Sequence, residues 1–115
     1  MPAAGRYSRL RLRRGVDFRA VYSSRRASRG RLLAVHWRTT ELSHPRVGFS
    51  ISKKVGDAVE RNRLKRRLRE VVRPLLVDLD RGLDVVVVVR PVASGSTFAQ
   101  LNSEFRSLTA SVLGL

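Results

Sequence analysis

Between Lys53 and Arg73 the chain sets nine Lys or Arg residues against three acidic ones, a net +6 over about a fifth of its length. Guanidinium and ammonium groups at this density neutralise phosphates and release condensed counterions, so the chemistry on offer is polyanion binding. The charges do not form a featureless tail. Leu64, Leu68, Val71, Val72 and Leu75 recur among them at the spacing of one helical face, which gives the stretch a side to bury. At about 100° per residue, Asn62, Arg66 and Arg69 share an adjoining arc about 60° wide, joined by Arg73 if the helix reaches it. Arg63, Arg67 and Glu70 fill a third sector.

Bond-breaking chemistry is hard to assemble from the remaining residues. No cysteine is present, which excludes disulfides, a thiol nucleophile and cysteine-based zinc sites. His36 and His44 stand eight apart, one in a strand pattern and one in a turn, with no carboxylate placed beside either. The nine acidic residues read mostly as helix caps and salt-bridge partners. Lys-Lys-Val-Gly at 53–56 lacks the spacing of a phosphate-binding loop. The chain alone is expected to bind rather than to cleave, with no catalytic residue of its own.

The elements that must position these groups can be read from periodicity. Gly56-Asp57 ends one element, and Asp57 followed by Glu60 makes a start like a capping box, with Asp in place of Ser or Thr. The basic helix runs on to about Val72. There Pro74 removes a hydrogen bond, collides with the Glu70 carbonyl and biases Arg73 away from helical angles, so the helix is expected to stop or kink. Ahead of it, Arg31–Thr39 and Arg46–Ser52 alternate as strands do. Leu33, Val35 and Trp37 oppose Leu32, Ala34, His36 and Arg38, while Val47, Phe49 and Ile51 oppose Gly48, Ser50 and Ser52. That small, hydroxylated set suits a surface approached by a ligand backbone, and equally a plain solvent face.

A short helix after residue 14 groups Phe18, Val21 and Tyr22 by i, i+3 and i+4 spacing. Val21 reads as core; Phe18 and Tyr22, beside basic residues, could also stack on bases. Residues 23–30 are turn-like, with a short edge strand at most. Behind the basic helix, the five valines of Leu83–Pro91 predict a strand covered on both faces. Phe98, Leu101, Phe105, Leu108 and Val112 mark a further amphipathic helix capped by Ser96 or Thr97. Strands flanking the basic helix suggest a parallel pair, and the whole an α+β fold with helices against a small sheet.

One hundred and fifteen residues at +15 make one basic domain, 1–115. Residues 1–31 hold ten Arg and one Asp, whereas residues 74–115 hold three basic and four acidic residues and read as scaffold. The first fourteen residues read as an extended basic arm. The longest apolar run, Val85–Val89, is too short to cross a bilayer, and no signal-peptide segment is seen; a cytoplasmic location without a membrane partner is expected. A helix-turn-helix fails because both neighbours of the basic helix are strands, and a basic zipper fails at Pro74.

From Ser50 to Glu70 the chain reads Ser-Ile-Ser-Lys-Lys-Val-Gly-Asp-Ala-Val-Glu-Arg-Asn-Arg-Leu-Lys-Arg-Arg-Leu-Arg-Glu. This run resembles the protein component of bacterial ribonuclease P and matches that family's signature, Lys-Lys-x-Gly-x-Ala-Val-x-Arg-Asn-Arg-x-Lys-Arg-x-x-Arg-Glu, at every fixed position. Arg-Leu-Arg-Arg-Gly-Val-Asp-Phe-Arg-Ala-Val near the start, Arg46-Val-Gly-Phe and Asp84-Val-Val-Val-Val-Val-Arg-Pro91 agree with it, so the resemblance spans nearly the whole chain. It implies a four-stranded sheet with three helices and the signature helix in a left-handed βαβ crossover, against the general right-handed rule. It implies a catalytic RNA subunit that uses Mg2+ to remove the 5′ leader of precursor tRNA, with no organic cofactor and no obligate protein partner.

Carried over by position, Lys53, Lys54, Arg61, Asn62, Arg63, Lys65, Arg66 and Arg69 are the expected RNA-binding residues. Phe18, Tyr22, His36, Ser50 and Ser52 are the expected lining of a leader cleft between helix and sheet. His36 stands where the family often has an aromatic residue. Asn62 can hydrogen-bond RNA or orient a hydrated metal; which side chains touch metal is not implied. Composition without the signature also fits a ribosomal protein or general RNA chaperone, and, less well, a stand-alone nuclease.

Overall fold

The computed structural model describes residues 10–113. Alternation builds its sheet. Strands β1 (Ala27–Arg29), β2 (Leu33–Thr39), β3 (Pro45–Ile51) and β4 (Leu83–Val89) lie in the order β1-β2-β4-β3. The valine-rich β4 is an interior strand, antiparallel to β2 and parallel to β3. Its backbone is paired on both sides and all but one of its residues are buried, as an unbroken β-branched run requires.

Three helices complete the fold: α1 (Gly15–Ser23), α2 (Ala58–Leu76) and α3 (Phe98–Leu113). The basic helix α2 is itself the crossover between the parallel strands β3 and β4. It packs with α3 on one face of the sheet, where Val35, Val85 and Val87 meet Leu64, Leu68, Val72, Leu101 and Phe105. Thr97 and Gln100 cap α3 reciprocally, side chain to backbone N–H, at 3.2 and 2.9 Å. The opposite face carries α1 over a much smaller apolar patch of Leu12, Val21 and Val86, with Phe18 and Val88 beside it.

Two expectations are corrected. Helix α2 does not stop at Val72; it continues through Pro74 to Leu76. The reason is tertiary: Leu76 is fully buried in the main core and Leu75 and Val77 pack at its edge, which outweighs one lost hydrogen bond. Leu76, rather than Leu75, therefore completes the buried arc. The second concerns the basic arm. Its residues 1–9 lie outside the described residues, but Leu10–Leu12 are not a frayed extension. Leu12 N–H donates to the Val47 carbonyl at 2.8 Å and Val47 N–H to the Leu10 carbonyl at 2.6 Å. Leu10 and Leu12 are buried while Arg11 faces outward, so this segment covers the outer edge of β3.

Candidate nucleic-acid interface

The start of α2 is held by its own side chains. Asp57 Oδ1 accepts from the Glu60 backbone N–H at 2.9 Å, and the helix begins at Ala58. Glu60 in turn accepts from Arg63 at 2.7 and 3.0 Å and from Gly95 N–H at 2.6 Å. Gly95 takes a positive φ of 81° there, a turn geometry that suits glycine. Arg67 pairs with Glu70 at 3.2 Å. Two of the helix's cations are thus matched by acids on the same helix.

Apart from Arg61, the remaining cations and the neutral amide of Asn62 divide into two rows. Asn62 and Arg66, four apart, are exposed. Lys65, Arg69 and Arg73, again four apart, line a cleft with Leu10–Arg13, Phe18, Val47–Phe49 and Val72. Its volume is about 300 Å³. Arg11, Arg13, Lys65, Arg69 and Arg73 all border it, with no carboxylate among its lining residues. Burial, reinforced by the charges of Arg11 and Arg73, holds the Arg69 guanidinium below its ordinary pKa. Apolar floor and cationic rim together match a nucleotide, with its flat base and its phosphate.

The expected leader-cleft residues lie on the face under α1. Sheet register places Arg38, Asp84 and Arg46 in one row, His36, Val86 and Gly48 in the next, and Ala34, Val88 and Ser50 in the third. Phe18 rests directly on Gly48: a Cβ there would stand 2.3 Å from the Phe18 ring. Tyr22 meets His36 edge to face, with centroids 5.0 Å apart and planes at 82°. Burial, then the nearby charge of Arg29, holds His36 below its ordinary value of 6.5. Ser50 is half-buried on the same face, and exposed Ser52 leads into the turn Lys53–Val55, where both lysines are exposed and Val55 is buried.

With this geometry in view, the chain was compared with known proteins. A family model described as Ribonuclease P matches residues 7–112. The chain belongs to the ribonuclease P protein family. The ribonuclease P protein component of Acidothermus cellulolyticus is 40% identical over 103 residues, 88% of this chain and 86% of that one. That of Alkaliphilus metalliredigens is 34% identical over 84% of this chain and 86% of its own. The Staphylococcus aureus RNase P protein structure superposes with a TM-score of 0.81 at 28% identity, covering 90% of this chain and 94% of that one. The Thermotoga maritima RNase P protein gives 0.73 at 26% identity, over 84% and 92%.

Membership makes this chain the protein component of an endoribonuclease, and an RNA its partner. Of the expected site residues, α2 brings Lys65 and Arg69 into the cleft, leaves Asn62 and Arg66 on an open row, and ties Arg63 to Glu60. Phe18 belongs to both the cleft and the sheet face, linking the two. Sequence reasoning missed Arg11 and Arg13 as cleft residues, and admitted Arg73 only if the helix reached it, which it does; the apolar–basic alternation Leu10-Arg11-Leu12-Arg13 carried a strand signal for the first two. Among the described residues no group of three or more His, Asp or Glu side chains could hold a metal ion. No helix among them is long and apolar enough to cross a membrane.

Proposed function

We propose that this protein component grips the catalytic RNA of ribonuclease P and the 5′ leader of precursor tRNA on two adjoining surfaces. The rows of α2, with Lys53, Lys54, Arg61 and the Leu10–Arg13 edge, neutralise phosphates of the RNA subunit. The face under α1, with Phe18, Tyr22, His36, Ser50 and Ser52, receives the single-stranded leader, whose bases stack on aromatic rings. Magnesium chemistry, and the bond cleavage itself, belong to the RNA. One observation carries the reading: Lys65 and Arg69 of α2 and Arg11 of the edge segment border a cleft that includes the Phe18 ring, joining phosphate neutralisation to a stacking surface.

Reconstitution tests it. Mixed with a bacterial ribonuclease P RNA at low magnesium, the chain is expected to enable cleavage of precursor tRNA, and to cleave nothing alone. Absence of stimulation at every salt concentration overturns the reading. Arg66→Ala, on the exposed row, should weaken RNA binding and lower the slope of log K against log salt by about 0.7 to 0.9. Its folding stability should change by less than about 0.5 kcal/mol. Leu68→Ala, one helical step away and fully buried, should instead cost about 2–5 kcal/mol of stability. The opposite pattern in urea unfolding and filter binding would invert the assignment of faces.

A further inference from the structure

Helix α1 carries Phe18 and Tyr22, yet little apolar packing holds it. Among the described residues, the core cluster on its side of the sheet has three buried members, against nineteen on the α2–α3 side. Polar contacts at its two ends make up the difference. At the C-terminal end, the Ser24 hydroxyl reaches the Trp37 carbonyl on β2 at 2.7 Å.

At the N-terminal end stands a larger assembly. Asp84 on β4 is 0% exposed and accepts from Arg38 at 3.1 and 2.9 Å and from Arg46 at 2.9 and 2.8 Å. A buried carboxylate between two guanidinium groups leaves one positive charge over. Asp17, in the first turn of α1, supplies the missing negative charge: its carboxylate lies 3.5 Å from Arg38 and 3.7 Å from Arg46. These bonds and charges, the Asp84 hydrogen bonds foremost, raise the Arg46 pKa.

We propose that Asp17 is a positioning residue: by closing the Arg38–Asp84–Arg46 cluster it fixes where α1 lies on the sheet, and so aligns Phe18 and Tyr22 for single-stranded RNA. Phe18 is the next residue in the chain and sits on Gly48, one sheet row from the cluster. A small tilt of α1 at Asp17 is therefore felt at the stacking ring first. The inference rests on the leader reading given above for this face.

The test uses the chain assembled with a bacterial ribonuclease P RNA, and compares its affinity for precursor tRNA bearing a leader with that for mature tRNA. Asp17→Asn keeps the shape and removes the charge. The leader-dependent gain should fall about five- to a hundredfold, the range set by one misaligned base–aromatic contact, while affinity for the RNA subunit and for mature tRNA stays unchanged. Asp17→Glu should restore most of it. An unchanged leader gain in a folded Asp17→Asn protein overturns the proposal, as does an equal loss for mature tRNA. Should that variant fail to fold, Ser24→Ala releases the other end of α1 without touching a charge and is expected to lower the same gain. If the parent itself shows no leader gain, the leader reading fails. Amide hydrogen exchange over α1, faster in Asp17→Asn while α2 and α3 are unchanged, then still decides whether Asp17 holds the helix.

Discussion

Glu60 sits where donors from two parts of the chain converge: Arg63 one turn on, and the Gly95 amide and Ser94 hydroxyl after β4. These bonds, Arg63 first, hold its carboxyl down at about 2. A carboxylate depressed in the folded state from an ordinary 4.5 contributes stability that is complete above the ordinary value. That stability is lost as pH falls toward the folded one. Glu60→Gln should thus be less stable than the parent at pH 7, with the gap closing between about pH 4.5 and pH 2. Urea unfolding at several pH values checks it, and a gap independent of pH refutes it. Half of this arrangement was legible beforehand, since Glu60 and Arg63 are spaced to pair on a helix. The other half was not, because Gly95 lies thirty-five residues away. Arg63 is accordingly the RNA-binding candidate with the greatest structural commitment.

At the scale of elements, periodicity located β2, β3, β4 and the three helices but left β1 within a turn-like stretch, and elsewhere local rules erred where long-range packing opposed them. Pro74 is the instance. Its ring leaves the Glu70 carbonyl without a backbone donor, yet Leu76 beyond it is fully buried, and burying a leucine is worth roughly 1.5–3 kcal/mol. The helix continues because its last turn belongs to the core. Pro74 is itself exposed, so Pro74→Ala should restore the bond without disturbing packing and stabilise the protein by about 1–3 kcal/mol, less the entropy that proline removes from the unfolded chain. Denaturant midpoints decide it; a destabilised variant would mean that the proline shapes the cleft through Arg73. The single bridge that joins Arg11 to Val47 of β3 teaches the converse. Four residues of alternation are visible in the sequence but too few to separate a strand from a charged arm without its partner, β3.

Across the whole molecule, charge is segregated in a way that composition alone could not place. The Arg38–Asp84–Arg46–Asp17 cluster draws on four separate elements and neutralises itself, which no local pattern announces. The cleft does the reverse, gathering cations from positions 11, 13, 65, 69 and 73, where burial first, then the charges of Arg11 and Arg73, disfavour the charge on Arg69. An anion that binds there only in the folded state stabilises it by linkage, about 2.7 kcal/mol at a hundred times its Kd. The thermal midpoint of this +15 chain should therefore rise more in sulfate than in chloride of equal ionic strength. Sulfate also strengthens apolar burial in any protein, so the deciding comparison is with a variant. Arg11→Gln combined with Arg69→Gln keeps much of each stem against the apolar floor and removes two of the charges. Its sulfate-specific gain should shrink markedly while the chloride response stays near that of the parent. An undiminished sulfate gain in the double variant would mean that the anion binds elsewhere on the basic surface, and would detach the cleft from phosphate recognition.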